Sequence, residues 1–334
     1  MESRQALMLR RLVELCHREE CDLVLFAGDV FDGAGVSGDL LRAATRCFED
    51  MGVPVFVAPG NHDHLGLNSP YDQVLWPENV HIFRSPRIES VTLQELDLTV
   101  WGAGYTSMDC PPLLENFTAH VGAGYRLAVL HADPVMAGSP CCPVTREQMA
   151  ASGLHYLALG HIHKAGGFTV GHTCCAWPGC PMGRGFHECG AKGALVVELY
   201  DGQARPRFVD LGLGQFRELS VEAGDDPAAD ILGAMGGDAG ETAFRITLTG
   251  QREPVDTEQL TRALESRCFL LELRDETRPP VELWASAGED TLEGLYFRFL
   301  QKELECAGEK DAAVLTLAAK ISRRLLDGQE VKLP

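Results

Sequence analysis

The stretch Cys21-Asp22-Leu23-Val24-Leu25-Phe26-Ala27-Gly28-Asp29-Val30-Phe31-Asp32 decides the fold class of this chain. Leu23 to Phe26 form a continuous apolar run that is too short for a helix, which is typical of a parallel strand covered on both faces. Gly28 lets the backbone turn and lie close to whatever Asp29 binds. An Asp after a strand is more often a turn former or a helix cap. The stretch is therefore stronger evidence for an α/β fold than for a functional site.

Three later apolar runs also end in polar side chains of the kind that bind metal ions. Residues 53–58, 126–130 and 156–159 run into Pro59-Gly60-Asn61-His62-Asp63, His131-Ala132-Asp133 and Gly160-His161-Ile162-His163 respectively. In open α/β sheets ligands bind outside the carboxyl ends of the strands, so we expect these side chains to meet at one edge. Carboxylate, amide oxygen and imidazole suit divalent Mn, Fe or Zn, and the lack of a thiolate argues against a structural zinc site.

The four motifs together resemble a known family in their order and spacing. Gly28-Asp29-Val30-Phe31-Asp32, Gly60-Asn61-His62-Asp63, His131 and Gly160-His161-Ile162-His163 are similar to the motifs of the calcineurin-like metallophosphoesterases. Within that superfamily they are more similar to the SbcD and YhaO type of DNA repair exonuclease than to Ser/Thr phosphatases. The resemblance continues through Gly183-Arg184-Gly185-Phe186 and, more loosely, to the C-terminus. It implies a four-layer α-β-β-α sandwich.

One departure from the family pattern concerns the start of the chain. The resemblance also implies a first strand ending in Asp-x-His, which would lie ahead of Asp29 and supply ligands to one metal ion. No Asp-x-His occurs before Asp29, and the nearest histidine, His17, lies in a helical pattern. We therefore expect the first strand to be missing. Either the sequence begins at an internal Met, or the protein is a degraded relative.

The resemblance implies a site with two divalent metal ions, which we expect to be Mn. Asp29 would bridge the two ions. Asn61, His131 and His161 would complete the ligand shell of one ion. The second ion would keep His163 and would need the absent motif, so its site is expected to be incomplete.

The resemblance also implies the catalytic residues, His62 and Asp63. His62 would stabilise or protonate the leaving oxygen, and Asp63 would orient its ring. The alternative for His62 is that it simply ligates metal. Asp32 and Asp133 are interpreted as turn residues or as neighbours of the ligands. Arg184 is a candidate phosphate contact, and its alternative is an ordinary solvent-exposed arginine.

The composition is that of an acidic globular protein. Of the 334 residues 45% are hydrophobic and 23% are charged, and the formal net charge is -19. No apolar run approaches the ~18 residues of a membrane span, and residues 1–4 do not open a signal peptide, so we expect a cytoplasmic protein that enters no membrane. The twelve cysteines are then expected to be reduced thiols. Such acidity is unusual for a nuclease, because nucleic-acid binding draws on Lys and Arg.

Composition and periodicity divide the chain into three parts. Residues 1–213 are predicted to form the metallophosphoesterase domain. Residues 214–284 alternate strands and helices in the order β-α-β-α-β, which predicts a small α+β domain in the place of the capping domain that guides DNA in SbcD-like nucleases. Residues 285–334 are predicted to form two amphipathic helices. Their apolar stripes are more often core, but the resemblance implies a docking site for a coiled-coil ATPase of the SbcC or YhaN type.

Three functions compete at this point. The first is a metal-dependent DNA exonuclease that works with such an ATPase, and the second is a phosphodiesterase for a small molecule. The third is a noncatalytic partner of the ATPase that keeps the fold without the chemistry. The predicted capping domain and C-terminal helices favour the first over the second, whereas the absent motif favours the third. DNA, the ATPase and a second copy of the chain, as a homodimer, are the partners considered.

Overall fold

The structure, a computed structural model, describes residues 4–33, 35–119, 124–237, 239–278 and 283–328. It divides into two compact units. The first unit contains the residues up to Arg217 together with Glu241–Ala243, and the second contains Glu218–Gly240 and the chain from Phe244 onward. Most of the predicted capping domain and the whole of the predicted C-terminal segment lie in the second unit. The division into three domains stays a prediction.

The first unit alternates helices and strands in its opening part and is mostly strands afterwards. Its elements are α1 (Arg4–Arg18), β1 (Val24–Phe26), α2 (Gly38–Asp50), β2 (Val55–Val57), β3 (Val80–Ile82), β4 (Glu89–Leu93), β5 (Leu98–Gly102), β6 (Tyr125–Leu130), α3 (Arg146–Ala151), β7 (Tyr156–Leu159), β8 (Lys164–Val170), β9 (Thr173–Gly179), β10 (Gly193–Tyr200) and β11 (Gln203–Asp210). This order is that of an α/β fold with an added β region.

The first sheet contains three parallel strands in the order β1-β2-β3. Helices α1 and α2 cover one of its faces, because each has an apolar stripe at helical spacing. Leu9 of α1 and Leu41 and Phe48 of α2 are buried there against Val55 and Val57 of β2. Ser37 caps α2 by accepting a hydrogen bond from the backbone N–H of Leu40.

The second sheet has six strands in the order β4-β5-β6-β7-β9-β8, with β5, β6, β7 and β9 parallel and the two outer strands antiparallel. An apolar layer that includes Phe56 and Phe83 from the first sheet and Val129 from the second joins the two sheets. Met149 of α3 packs in the apolar cluster on the other side of the second sheet, with Leu157 and Leu159. The order of layers is α-β-β-α, so the predicted sandwich is confirmed.

Strand β1 lies at an edge of the first sheet. In the described part of the chain it pairs with β2 alone, and its three residues are only half-buried. Strands β10 and β11 form a separate antiparallel hairpin, whose residues Val197 and Leu199 reach the layer between the two main sheets. On the other side of this hairpin Ala194 and Val196 pack near Leu15 of α1.

The second unit has the predicted β-α-β-α-β order, followed by two helices. Its elements are β12 (Phe216–Glu222, whose first two residues belong to the first unit), α4 (Pro227–Met235), β13 (Ala243–Thr249), α5 (Thr257–Leu264), β14 (Leu270–Asp275), α6 (Leu292–Cys306) and α7 (Glu309–Leu326). The sheet order is β12-β13-β14. Ile231, Phe244 and Ile246 are buried in its core, and Phe297 and Ala319 are buried between α6 and α7.

Two findings concern the helices and the cysteines. None of the helices in the described residues is both long enough and apolar enough to cross a membrane. All twelve cysteines are free thiols, as the sequence predicts.

Candidate metal centre

The ends of four strands meet at one edge of the sandwich. Asp29 and Asn61 follow the neighbouring strands β1 and β2 of the first sheet, and His131 and His161 follow the neighbouring strands β6 and β7 of the second. Asp29 and His161 have left-handed backbone conformations, with φ of 52° and 79°. Such conformations cost about 1–3 kcal/mol in residues other than glycine and persist where the surrounding structure enforces them, most often at functional sites.

Three hydrogen-bond acceptors face one another at this edge. Nε2 of His131 is 2.9 Å from Oδ1 of Asn61 and 3.3 Å from Oδ2 of Asp29. Nδ1 of His131 is 2.9 Å from the carbonyl oxygen of Ala27, which can only accept, so we assign the ring hydrogen to Nδ1 and a lone pair to Nε2. An amide oxygen, a carboxylate and an imidazole lone pair repel one another unless a positive charge lies between them. The donor set therefore fits a divalent cation.

His161 stands beside these three acceptors. Its ring centroid is 5.3 Å from that of His131, and its Nε2 is 3.7 Å from Oδ2 of Asp133. Burial, and then the neighbouring His131, lower the pKa of His161, which favours the neutral imidazole that binds metals. Oδ1 of Asp133 accepts hydrogen bonds from the backbone N–H groups of Val135 and Met136, both at 2.9 Å. Burial would raise the pKa of Asp133, but these hydrogen bonds outweigh it and lower that pKa.

Three glycines allow the loops to close around His131. A Cβ atom at Gly28, Gly60 or Gly160 would lie 2.4, 2.8 or 2.7 Å from Nδ1 of His131. These distances are far below van der Waals contact, so each motif needs glycine for close approach of the backbone. The ring of His131 is thus one reason for glycine at all three positions, although Oδ1 of Asp29 is nearer at Gly60 and the carbonyl oxygen of Ala27 is nearer at Gly160.

Asp63 is buried and joins two of the motif loops. Its Oδ1 accepts hydrogen bonds from the backbone N–H groups of Gly60 at 2.7 Å and Asp29 at 3.2 Å. Its Oδ2 accepts from the backbone N–H of Phe31 at 3.2 Å and from the hydroxyl of Tyr71 at 2.6 Å. Burial raises the pKa of this carboxyl, against the hydrogen bonds of Tyr71 and Gly60, which lower it. Tyr71 is a site neighbour that sequence reasoning missed.

The ring of His62 contacts a different aspartate from the one predicted. Nδ1 of His62 is 3.1 Å from Oδ1 of Asp32, and the backbone N–H of His62 donates to Oδ1 of Asp29 at 2.9 Å. The predicted orientation of this ring by Asp63 is thus corrected: Asp63 points inward to its four donors, whereas Asp32 lies on the exposed side with the ring. The side chain of His62 is 49% exposed, so a molecule in solution can reach it.

His163 is held by a group that the sequence did not reveal. Its Nδ1 is 2.7 Å from Oε1 of Glu188, whose side chain is only 2% exposed. The carbonyl oxygen of His163 accepts hydrogen bonds from Nζ of the buried Lys192 at 3.2 Å and from the backbone N–H of Cys180 at 3.3 Å. The only signal for Glu188 in the sequence is its place four residues after Arg184.

Arg184 has carboxylate partners. Its guanidinium is 2.8 Å from Oδ2 of Asp32 and 3.4 Å from Oε1 of Glu188, and its backbone N–H donates to Oε2 of Glu188 at 2.9 Å. Burial would raise the pKa of Glu188, but the hydrogen bonds from Arg184 and His163 outweigh it and lower that pKa. The predicted contact of Arg184 with phosphate therefore has to compete with two carboxylates.

The structure brings the five predicted metal ligands together in part. His131 is in direct contact with both Asp29 and Asn61, His161 is beside His131, and Nδ1 of His163 faces Glu188. In the described part of the chain no three His, Cys, Asp or Glu side chains are grouped closely enough to hold a metal ion. The acceptor cluster has only two side chains of these types, because its third member is the amide of Asn61.

The geometry agrees with a comparison of the chain with known families. Residues 4–165 match the family described as calcineurin-like phosphoesterase. These residues belong to that family. Calcineurin-like phosphoesterases use divalent metals, which fits the acceptor cluster of this phosphoesterase domain.

Three curated proteins are similar to more than half of this chain. The uncharacterized metallophosphoesterase YhaO of Bacillus subtilis is 33% identical over 60% of this chain and 51% of its own length. The probable exonuclease subunit 1 of Escherichia phage T5 is 22% identical over 67% of each chain. The SbcD subunit of the nuclease SbcCD of Bacillus subtilis is 23% identical over 60% of this chain and 62% of its own length. The chain thus spans about half the length of YhaO.

Proposed function

We propose that this protein is a metal-dependent phosphodiester hydrolase that cleaves DNA as the nuclease subunit of a complex with a coiled-coil ATPase. The observation that carries the proposal is the convergence of Asn61 Oδ1, Asp29 Oδ2 and His131 Nε2 at the strand ends of a phosphoesterase domain. Similarity to one protein named as a probable exonuclease subunit and to another named as a nuclease subunit supports DNA as the substrate.

The proposed cofactors are two divalent ions, for which we favour Mn. Asp29, Asn61, His131 and His161 would hold the first ion, and Asp29 and His163 would hold the second with an incomplete ligand set. When bound, the two ions would supply a nucleophile at neutral pH and neutralise charge on the phosphoryl oxygens.

His62 is the proposed catalytic residue, and Asp63 acts on the site through the loops. Nδ1 of His62 is turned to Asp32, so Nε2 is the nitrogen that can meet the leaving oxygen of a phosphodiester and transfer a proton to it. Asp63 accepts hydrogen bonds from the backbone of Gly60 and Asp29, and these contacts fix the two loops that carry proposed ligands relative to each other.

The second unit supports the proposal of a partner. Several large apolar side chains are exposed on its two C-terminal helices, namely Leu292, Leu295, Phe299, Val314 and Leu317. Exposed apolar patches mark interaction sites, and an amphipathic helix pair suits a coiled coil. We propose that the ATPase covers these apolar side chains, with a second copy of the chain, in a homodimer, as the alternative. The cytoplasm is the proposed compartment.

A direct comparison of substrates tests the function. With Mn present, the full chain is expected to cleave linear double-stranded DNA and to leave a small aryl phosphomonoester intact. Asn61→Ala and His161→Ala should abolish cleavage, while His172→Ala, at an exposed position outside the site, should not change it. Turnover of the monoester without cleavage of DNA would contradict the proposal and favour a small-molecule phosphoesterase.

A noncatalytic partner of the ATPase is the second candidate. The observation that favours it is that, of the five predicted metal ligands, only Asn61 and Asp29 are in direct contact with a third, His131, so the proposed ligand set of the second ion is incomplete. Under this alternative neither DNA nor a small phosphodiester would be hydrolysed at any Mn concentration, while the chain would still bind the ATPase.

A further inference from the structure

Two histidines of the site are joined by a chain of alternating charges. Nδ1 of His62 contacts Asp32 at 3.1 Å, Asp32 contacts Arg184 at 2.8 Å, Arg184 contacts Glu188 at 3.4 Å, and Glu188 contacts Nδ1 of His163 at 2.7 Å. The two histidines belong to different motif loops, one after β2 and one after β7. The chain of contacts therefore connects the two sheets of the sandwich at the site.

The Glu188 end of this chain is the rigid end. Glu188 is buried, and both of its carboxylate oxygens accept hydrogen bonds. A carboxylate can only accept, so the 2.7 Å contact places the ring hydrogen of neutral His163 on Nδ1. Nε2 then carries the lone pair and faces away from Glu188. A carboxylate behind the ring is the usual way in which a histidine ligand is held in one orientation and one tautomer.

The His62 end is looser. Asp32 is 68% exposed and Arg184 is 47% exposed, and contacts between exposed charges are weak because water screens them. Arg184 has two carboxylates for its single charge, so a phosphate anion would first have to displace one of them. Because its guanidinium already contacts two carboxylates, Arg184 connects Asp32 with Glu188 rather than binding substrate.

We propose that Glu188 is a positioning residue for His163, and that Arg184 couples it through Asp32 to His62, so that the two rings are oriented together. The proposal rests on the proposed function in one respect, because the proposed function assigns the two histidines their roles as metal ligand and catalytic residue. Neither carboxylate touches the reacting atoms, and each acts through the ring that it contacts.

The test is a long-range proton–nitrogen NMR experiment on the full chain, labelled with ¹⁵N-histidine at pH 8 with chelator and without metal or substrate. The His163 signal is assigned by its loss in His163→Gln. In the wild type we expect His163 in the Nδ1–H tautomer. In Glu188→Ala we expect the Nε2–H tautomer, because nothing then holds the hydrogen on Nδ1. Glu188→Gln, whose amide oxygen still accepts, should restore the Nδ1–H tautomer.

The link through Arg184 has its own readout in the same spectra. Arg184→Gln should shift the ring signals of both His62 and His163, whereas Asp32→Asn should shift mainly that of His62. His131 is the internal control, because its Nδ1 donates to the carbonyl of Ala27 and should keep its tautomer in every variant. A constant His131 signal shows that the fold is intact. If the His131 signal changes in Glu188→Ala, the fold of that variant is altered, and the test then relies on Glu188→Gln and Arg184→Gln.

Two outcomes would overturn the proposal. One is His163 in the Nε2–H tautomer in the wild type, and the other is an Arg184→Gln spectrum in which neither ring changes. A titration with Mn²⁺ gives a second measure: its dissociation constant should rise about 10 to 100-fold in Glu188→Ala and less in Asp32→Asn. Loss of DNA cleavage in the wild type would contradict the proposed function, but it would leave the tautomer result standing.

Discussion

His131 is the most buried of the five predicted metal ligands, and Gly160 is one of the reasons. A Cβ atom at Gly160 would lie 1.7 Å from the carbonyl oxygen of Ala27, which is the oxygen that accepts from the His131 ring. Gly160→Ala is therefore expected to lower the free energy of unfolding by about 1–3 kcal/mol, because the backbone must move to relieve the overlap. Urea denaturation followed by circular dichroism measures it.

Gly35→Ala is the matched control for this substitution. A Cβ atom at Gly35 meets no other atom within 4 Å, so the change should stay within about 0.5 kcal/mol. Equal effects at the two positions would contradict the role assigned to the close approach at Gly160.

A second residue-scale prediction concerns pH and a histidine outside the site. His81 of β3 packs against Phe56 and Phe83, and its Nε2 is buried with no hydrogen-bond partner among the described residues. Burial lowers the pKa of His81, so the folded state binds its proton less readily than the unfolded state. Its contribution to stability is complete above the unfolded pKa of about 6.5 and is lost as the pH falls through that value toward the folded pKa.

Denaturant titrations at pH 7.5 and pH 5 would measure this loss. His81→Phe should show a smaller difference between the two pH values than the wild type, whereas the exposed His172→Gln should show the wild-type difference. An unchanged difference in His81→Phe would mean that His81 does not cause the acid sensitivity.

The sequence predicts which strand ends meet at the site but not the contacts around them. Strand ends predict where Asp29, Asn61, His131 and His161 lie, because that position follows from topology alone. The choice between Asp32 and Asp63 as the partner of His62 depends on which way each side chain leaves its turn, and this is decided by burial of Asp63 against Tyr71. The spacing of the motifs does not predict the direction of either aspartate side chain.

At the scale of elements, periodic stretches predict structure well and short glycine-rich ones do not. The apolar periodicity of the sequence predicts helices at residues 5–19 and 227–235, and the structure has them at Arg4–Arg18 and Pro227–Met235. Strand β8 was not predicted, because its Gly166 and Gly167 interrupt the pattern of alternation. The structure shows the reason: a Cβ atom at Gly166 would lie 2.8 Å from the ring of Trp177 on the paired strand β9.

The hairpin of β10 and β11 shows a second limit of periodicity. The apolar pattern predicts strands at 194–199 and 207–211, and the structure has Gly193–Tyr200 and Gln203–Asp210. Gln203 to Pro206 carry no apolar alternation, because most side chains of β11 are exposed. These residues form a strand because they pair with β10. This is a tertiary interaction, which the local sequence does not indicate.

If the protein cleaves DNA as proposed, its negative charge makes a metal ion more important than it would be in a basic nuclease. The chain has 48 acidic and 29 basic residues, so few cations are available to neutralise the phosphates of DNA. In the proposed function, therefore, positive charge comes from the ions and from the partner. Mn²⁺ should accordingly bind the folded chain in the absence of DNA.

Binding of Mn²⁺ is expected to stabilise the first unit against unfolding. At a concentration of 100 times the dissociation constant the gain is about 2.7 kcal/mol for a single site. Asn61→Ala should lose most of this gain because it removes one of the three facing acceptors, and His172→Ala should keep it. Thermal unfolding with and without Mn²⁺ measures the effect.

Metal analysis after dialysis gives the stoichiometry for the same prediction. We expect about one tightly held ion per chain, because the second ion of the two-metal scheme has only Asp29 and His163 as proposed ligands. Two tightly held ions in the wild type would show that Asp32 or Asp133 completes the second site. An equal gain of stability in Asn61→Ala would contradict the assignment of the first.

The position of β1 at the edge of its sheet has a consequence for how long the site stays assembled. Local unfolding begins where backbone hydrogen bonds and buried contacts are fewest, and β1 has one strand neighbour and half-buried side chains. Asn61, His131 and His161 follow strands that are paired on both sides. Fraying of β1 would therefore disturb the loop that carries Asp29 before it disturbed the other three strand ends. The fraction of molecules ready to bind metal should then depend on the local opening of this strand and of the loop that Asp63 holds, as well as on global unfolding.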